Sequence, residues 1–290
     1  MEKIIRKSLL YKSRVEYGDF CINHVEGCAH GCKFPCYAML LKRRSGAIDN
    51  YREWIKPRLV SNALELLRKE LPRLRDRIQY VHLCFSTDPF MFRFPQVEEL
   101  SLEIIEELNK NKIRTVVLTK GLLPSSLVST DRFGAENDYG ITLVSLNSGF
   151  EKAFEPNAAP YSDRIAALHF LHANGLKTWV SIEPYPTPNI VNQNLKNILN
   201  RISFVDKIVF GKMNYNPLVR KYKDWEGYYE ECTEIVLDFC RTANIEVHIK
   251  KGTSIRYRTR NKASKVRTSV QLNGVSQQNE PTLFDRRPIN

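Results

Sequence analysis

The chain has 290 residues and a formal net charge of +12, from 44 Lys and Arg against 32 Asp and Glu. This length is enough for a full hydrophobic core and suits one large α/β domain with an appendage, which excludes a disulfide-dependent mini-protein. No apolar run is long enough to span a bilayer, and residues 1–15 lack the apolar stretch of a secretory signal, so we expect a cytoplasmic protein without a membrane partner.

Seven short apolar runs predict buried strands, because they are rich in Val, Ile and aromatic residues and are bounded by turn residues. A short first strand is expected at 20–25, and 244–250 is a candidate for a last strand at the edge of the core. The runs between them are 78–85, 113–119, 139–146, 177–183 and 207–211.

Amphipathic patterns lie between these runs and predict crossover helices. The first pattern extends from Ile55 to Leu71, with Pro57 near its start and Pro72 as its expected stop. The later helices are expected within 97–108, 165–171, 191–202 and 225–239. Alternation of strands and helices is typical of a parallel sheet, and five or six such units fit either an open barrel or a doubly wound sheet.

Polar residues follow the predicted strands at their carboxyl ends. In parallel α/β folds, this is the edge of the sheet at which ligands bind, so these side chains are expected to converge on one site. They are Ser86, Thr87, Asp88, Lys120, Ser145, Asn147, Glu183, Lys212 and Asn214.

The segment GCAHGCKFPCYAM contains three of the seven cysteines, at Cys28, Cys32 and Cys36. In a reducing compartment, clustered cysteines indicate metal or thiol chemistry. Three thiolates can hold zinc if His24 or His30 is the fourth ligand, or an iron–sulfur cluster with one iron open to another ligand. No second Cys or His pair follows, which favours the iron–sulfur cluster over zinc. Simple packing of the thiols is least favoured, because the segment has no apolar periodicity.

GCAHGCKFPCYA resembles the cluster loop of the radical S-adenosylmethionine superfamily, in the form found in the branch that contains spore photoproduct lyase and the DNA repair photolyase-like proteins. Further segments match this branch in the same order, between residues 5 and 185. FSTDPF at 85–90 resembles its TDP segment, LTKG at 118–121 its Thr-Lys turn, and 144–168 its serine strand with the E-P-x-A-P…R element.

The resemblance implies a partial (β/α)6 TIM-like barrel, which we place at 27–250 after an N-terminal lead-in at 1–26. It also implies a 4Fe–4S cluster on the three clustered cysteines. Such enzymes cleave S-adenosylmethionine reductively to a 5′-deoxyadenosyl radical, which abstracts hydrogen from a substrate. A reductase, flavodoxin or ferredoxin is the electron donor that this chemistry calls for.

The resemblance also assigns S-adenosylmethionine contacts to individual residues. Thr87 and Asp88 are expected at the amino group of the cosubstrate, Lys120 at its carboxylate, and Ser145 at the carboxylate or ribose. Arg164 is a further candidate. A cation for a carboxylate and an anion or hydroxyl for an ammonium are chemically suitable pairs. Each residue alone could equally end a strand or cap a turn.

Two positions depart from the pattern of this branch. Three residues, ending with Pro35, separate the second and third cysteines where the branch has two. Cys84 stands four residues before Asp88, whereas the hydrogen-donating cysteine of spore photoproduct lyase stands three before an aspartate. Because side chains alternate along a strand, Cys84 is expected to point away from the site into the core.

Eight basic residues and no acidic one lie at 250–267, within a polar C-terminal segment, 251–290, that we expect to be flexible. A concentrated basic run suggests a polyanionic partner such as nucleic acid, although a solvated tail is equally consistent with it. Two alternatives remain: a cluster-free or zinc-stabilised nucleic-acid-binding relative, and a radical enzyme that modifies a peptide or small molecule.

Overall fold

The computed structural model describes residues 1–16 and 18–257. The strands are β1 (Glu2–Ile4), β2 (Leu10–Lys12), β3 (Phe20–Ile22), β4 (Val25–Glu26), β5 (Arg58–Val60), β6 (Tyr80–Leu83), β7 (Arg114–Thr119), β8 (Asp138–Thr142), β9 (Lys177–Tyr185), β10 (Lys207–Lys212) and β11 (Glu246–Ile249). The helices are α1 (Tyr37–Arg44), α2 (Tyr51–Trp54), α3 (Ala63–Leu74), α4 (Pro95–Lys110), α5 (Thr130–Phe133), α6 (Ser148–Phe154), α7 (Tyr161–Ala173), α8 (Leu195–Arg201), α9 (Pro217–Arg220) and α10 (Trp225–Ala243).

The fold is built on an eight-stranded sheet with the order β11-β10-β9-β8-β7-β6-β3-β2. Neighbouring strands from β3 to β11 are parallel, and β2 runs antiparallel to β3 at one edge. Among the described residues, the order ends at β2 and β11 rather than closing on itself. The predicted α/β class with a parallel sheet is therefore confirmed, and every run that the sequence assigned to the sheet contains one of its strands.

The long helices bury the apolar stripes that predicted them. In α4, Pro95 occupies the first turn, where its missing N–H has no helical partner to lose, and Val97 and Ile104 are fully buried. Leu168 of α7 and Val236 of α10 are likewise fully buried in the same hydrophobic core. Apolar residues every three or four positions place one face of each helix on the sheet, so the side chains of β6 to β10 are covered.

The first predicted helix is wrong in its bounds. It was expected over 55–71, but α3 begins only at Ala63 because the preceding residues form β5. Leu59 pairs with a residue of β1 on one side and with Val25 on the other, in a small sheet of order β1-β5-β4. Pro72, the expected stop, lies inside the last turn of α3. Proline there removes one backbone hydrogen bond, but only two residues of the helix follow it.

Residues of the lead-in contribute to both sheets. The strand β3 lies between β2 and β6 in the main sheet, whereas β1 and β4 flank β5 in the small one. None of the helices in the described residues combines the length and apolar character that crossing a bilayer requires. The tail expected at 251–290 lies outside the described residues from 258 onward.

We predict that Gly140→Ala destabilises the fold through its contact with Trp179. The two residues pair across β8 and β9, and a Cβ at position 140 would lie 2.5 Å from Nε1 and 2.7 Å from Cδ2 of the indole. Such overpacking costs about 2 kcal/mol of unfolding free energy. Urea denaturation should show this loss in the wild-type background and a much smaller one in a Trp179→Leu background. Equal losses in both backgrounds would contradict the steric cause.

Candidate active site

A cavity of about 350 Å³ opens at the carboxyl ends of the parallel strands. Residues that follow β6, β7, β10 and β11 line it, together with residues within β9 and the segment between β4 and α1. The sequence candidates among its lining residues are Cys28, Cys32, Cys36, Thr87, Asp88, Lys120, Glu183 and Asn214. A larger groove, of about 690 Å³, lies between α10 and β11 and contains none of these residues. The smaller cavity is therefore the candidate site.

The loop that carries the thiols is held in place by its glycines and by α2. Gly27 has a φ of +77°, and a Cβ there would lie 2.7 Å from the carbonyl oxygen of Trp54. Gly31 has a φ of +60°, and its carbonyl accepts a 2.5 Å hydrogen bond from the Tyr51 hydroxyl. Side chains at these two positions would strain the backbone and push the loop away from α2. The backbone N–H of Cys28 donates to Trp54 O at 2.9 Å, which fixes the first thiol.

The extra residue before the third cysteine is accommodated by burying Phe34. The Phe34 ring stacks on Phe154 at 6.2 Å and on Phe150 at 6.5 Å between centroids, and Phe34 is only 4% exposed. Pro35 then lies in the cavity wall, between two thiols that both reach the cavity. The longer spacing therefore keeps Cys32 and Cys36 on the same side of the loop.

Two of the thiols, those of Cys28 and Cys32, lie in surroundings that oppose their ionisation. Burial raises the pKa of Cys28 well above its usual value, with the Asp88 carboxylate as the next cause. Burial also raises the pKa of Cys32. A bound cation is the kind of group that would stabilise these thiols as thiolates.

The arrangement of the thiols bears on which metal group they fit. Within residues 1–16 and 18–257, His, Cys, Asp and Glu side chains form no group of three or more placed to hold a single metal ion. The thiols of Cys28, Cys32 and Cys36 line one cavity, and three thiolates are a suitable ligand set for a four-iron cluster.

Asp88 is buried and its carboxylate is held by donors from three segments. Oδ1 accepts hydrogen bonds from Thr119 Oγ1 at 2.6 Å and from the N–H of Phe90 at 3.0 Å. Oδ2 accepts one from the N–H of Lys120 at 2.8 Å and lies 3.4 Å from His30 Nδ1. Burial opposes ionisation of Asp88, but its electrostatic interaction and hydrogen bond with His30, together with the other donors, outweigh burial and hold its pKa below the usual value.

The segment from Thr87 to Phe92 contacts the thiol loop through His30 and Gly27. His30 Nε2 accepts a hydrogen bond from the N–H of Phe92 at 2.9 Å, which leaves Nδ1 as the protonated ring nitrogen that faces Asp88. The Thr87 hydroxyl donates to the carbonyl oxygen of Gly27. In the structure, Thr87 and Asp88 therefore hold the loop in position, and their contacts with a cosubstrate stay predictions.

Lys120 places a positive charge in the cavity wall without a tight ion pair. Its ammonium lies 4.0 Å from Oε1 of Glu155 and 5.6 Å from the centroid of the Phe34 ring, and the side chain is 17% exposed. A 4.0 Å separation is too long for a hydrogen bond. The ammonium is therefore held near the cavity while remaining able to pair with the carboxylate of a ligand.

Comparison with solved structures identifies the architecture. Spore photoproduct lyase in complex with dinucleoside spore photoproduct superposes with a TM-score of 0.63 and 12% identity, over 84% of this chain and 80% of that one. A second structure of that enzyme, with bound AdoMet and the same dinucleoside, gives a TM-score of 0.62 over the same shares. The chain has the fold of spore photoproduct lyase. The radical S-adenosylmethionine resemblance is thus confirmed at the level of the fold.

Sequence relatives carry no assigned activity. An uncharacterized protein of Acidianus two-tailed virus, ORF301, is 25% identical over 193 residues, which span 63% of this chain and 61% of the viral protein. An uncharacterized protein of Methanocaldococcus jannaschii, MJ0683, is 23% identical over 81% of this chain and 85% of its own length. The match therefore spans less than two thirds of the viral protein. No protein-family model matches the chain.

Two residues that were predicted to contact the cosubstrate, Ser145 and Arg164, are not among the lining residues of this cavity. Ser145 is fully buried, and its hydroxyl donates to Gln193 Oε1 at 2.6 Å. Arg164 is fully buried, and it donates to Thr142 O at 3.0 Å and pairs with Glu155 Oε2 at 2.7 Å. Both side chains already have protein partners, so in this structure they support the wall from behind.

The cavity also contains lining residues that the sequence did not suggest. Thr142 and Ser181 are part of the lining although both lie inside strands, so a search limited to residues beyond the apolar runs misses them. Cys84 is buried, as expected, but it also lines the cavity, so the expectation that it points away from the site is wrong. The strand ends at Leu83 and Cys84 has a φ of +61°, which breaks the alternation of side chains. Its Sγ lies 3.5 Å from His24 Nδ1.

We predict that Arg164→Ala destabilises the fold by roughly 3–5 kcal/mol, because it leaves the Glu155 carboxylate buried without its partner. Arg132→Ala is the matched control, since Arg132 also pairs with a glutamate, Glu106, at 2.6 Å but is 49% exposed. Its loss should stay below about 1 kcal/mol. Chemical denaturation of the two variants measures both values, and comparable losses would contradict a special role for the buried pair.

Proposed function

We propose that this chain is a radical S-adenosylmethionine enzyme that binds a 4Fe–4S cluster through Cys28, Cys32 and Cys36. The observation that carries the proposal is the meeting of these three thiols with Lys120 at one cavity, within the fold of spore photoproduct lyase. When bound, such a cluster supplies an electron to the sulfonium of S-adenosylmethionine, yielding methionine and a 5′-deoxyadenosyl radical that takes a hydrogen atom from a substrate.

The protein residues position the cosubstrate in this proposal. The Lys120 ammonium pairs with its carboxylate, since Oε1 of Glu155 is 4.0 Å away and Oε2 of the same carboxylate pairs with Arg164. Asp88 orients the loop end at which the cosubstrate amino group binds, and Thr87 fixes Gly27 beside the first thiol. Ser145 and Arg164 contribute from behind the wall, so we propose them as positioning residues.

The substrate class that we propose is nucleic acid. Support comes from the solved structures of spore photoproduct lyase, which contain a dinucleoside photoproduct, and from the basic residues at 250–267. Most of that run lies outside the described residues, so its role is a proposal from sequence. The electron requires an external donor, for which we propose a reductase, flavodoxin or ferredoxin in the cytoplasm.

A cluster-free or zinc-stabilised nucleic-acid-binding protein is the alternative. It retains the fold but not the chemistry, so it differs in metal content and in S-adenosylmethionine cleavage.

We expect anaerobically reconstituted wild-type protein to contain about four iron and four sulfide per chain. Cys28→Ala, Cys32→Ala and Cys36→Ala should each lose most of the iron and the visible absorbance, because each removes a thiolate ligand. The control is Cys240→Ala, since Cys240 is buried in α10 away from the cavity lining. The wild type and this control should form 5′-deoxyadenosine under reduction. A colourless protein with stoichiometric zinc and no cleavage would overturn the proposal.

Lys120→Met should weaken S-adenosylmethionine binding about tenfold or more, because a charge-assisted hydrogen bond to the carboxylate is removed. Its iron content should match the wild type, since Lys120 is not a metal ligand. Lys110→Met serves as the control, because Lys110 is an exposed helix residue paired with Glu106. Anaerobic calorimetry measures the dissociation constants, and unchanged affinity would remove Lys120 from the binding site.

A further inference from the structure

The cavity has a second end, at the carboxyl-terminal part of β9 and the loops that follow β10 and β11. Its lining there includes Glu183, Asn214, Lys250 and Lys251. These residues come from three neighbouring strands of the sheet, and none of them has a role in holding the thiols or Lys120. They therefore form a separate part of the same cavity, available for a substrate.

An ion pair is built across the middle strand at this end. Lys250 Nζ lies 3.1 Å from Glu183 Oε2, and both side chains are 22% exposed. A Cβ on Gly211 of β10 would lie 3.0 Å from Glu183 Cγ and 3.0 Å from Lys250 Cγ. A side chain at this position would press on both partners, so glycine gives the pair room to meet over β10. The position of the Lys250 ammonium is thus set by its ion pair with Glu183 on a neighbouring strand of the sheet.

The backbone of the two lysines is fixed as well. The N–H of Lys250 donates to Phe210 O at 2.8 Å, which continues the pairing of β10 and β11. The N–H of Lys251 donates to Glu16 Oε1 at 3.1 Å. Asn214 uses one of its side-chain N–H groups on the carbonyl oxygen of Lys212, at 3.3 Å, so the other can bind a ligand.

The charges of the lining favour an anionic ligand. Its carboxylates are Asp88, which is held by His30 and three hydrogen-bond donors, and Glu183, which is paired with Lys250. Its ammonium groups are Lys120, Lys250 and Lys251, and the last two share this end of the lining with one carboxylate, that of Glu183. Lysine binds phosphate as a compact point charge.

We propose that Lys250, Lys251 and Asn214 form a subsite for a phosphate ester of the substrate, in a nucleotide or an oligonucleotide. Glu183 is the internal counter-ion that holds Lys250 in place and competes with the phosphate for it. The subsite deepens the proposed function, on which it rests, because it names the group by which a nucleic-acid substrate is held in the cavity that contains the thiols.

The test is binding of a fluorescein-labelled 12-nucleotide single strand to the full reconstituted chain, followed by anisotropy over a range of NaCl concentrations. Lys250→Gln/Lys251→Gln should weaken binding about tenfold and reduce the salt slope by about 0.7 for each phosphate that the protein no longer neutralises. The control is Lys177→Gln/Lys207→Gln, which removes the same charge at the opposite end of β9 and β10. It should change binding less than about twofold.

Glu183→Gln should change the affinity for the labelled strand in the opposite direction. It removes a negative charge beside the bound phosphate, so we expect binding to tighten by about threefold. A purely structural role for the Glu183–Lys250 pair predicts weaker binding for this variant, as for Lys250→Gln. Equal losses in the cavity and control double variants, or weaker binding by Glu183→Gln, would overturn the subsite.

A competition measurement distinguishes a nucleotide from an oligonucleotide as the source of the phosphate. Comparison of strand binding with S-adenosylmethionine cleavage distinguishes failure of the subsite from failure of the proposed function. Thymidine 5′-monophosphate that displaces the labelled strand where thymidine does not shows that one phosphate ester is sufficient. Failure of the monophosphate to displace a strand that is held by the two lysines shows that an oligonucleotide is the ligand. Wild-type protein that cleaves S-adenosylmethionine but binds neither probe contradicts the subsite alone, whereas binding through the lysines without cleavage contradicts the proposed radical chemistry alone.

Discussion

The Asp88 carboxylate is the group on which the arrangement of the site depends. It accepts hydrogen bonds from Thr119 and from the backbone of Lys120, and it faces His30 of the thiol loop. A buried carboxylate without these donors would be strongly unfavourable, so the donors and the acceptor hold each other in place. Because its pKa is lowered in the fold, the ionised form stabilises the protein above the ordinary aspartate pKa, and this contribution disappears as the pH falls through the lowered value. One side chain thus couples the thiol loop, through His30, to the backbone of Lys120.

The sequence was most informative where one physical requirement dominates. Buried parallel strands need continuous apolar runs, and each of these runs contains a strand of the main sheet. It was less informative where two structures compete for the same residues. The pattern from Ile55 to Leu71 has helical periodicity, but the pairing of Leu59 with β1 and β4 takes its first residues into a strand. Periodicity indicates which side chains are buried, but it does not indicate which backbone segment is available for pairing.

The sequence also predicted some features of the candidate site and missed others. The ordered motifs indicated Cys28 and Lys120, because each lies directly beyond a recognisable element. Side-chain direction was harder to predict, as Cys84 shows: its left-handed backbone conformation depends on where the strand ends, which can shift by a residue without changing the apolar pattern. Arg164 illustrates a further limit, since a charged residue in a motif can serve the fold through a buried ion pair.

The crossing of Glu183 and Lys250 over Gly211 has a consequence for comparison among relatives. The three residues lie on neighbouring strands far apart in the chain, yet they form one steric and electrostatic unit. A larger residue at the middle position displaces the pair, and without the pair there is no reason to keep glycine there. Across homologous chains these three positions are therefore expected to change together, so their joint presence marks, in an alignment, the proteins that share this end of the cavity.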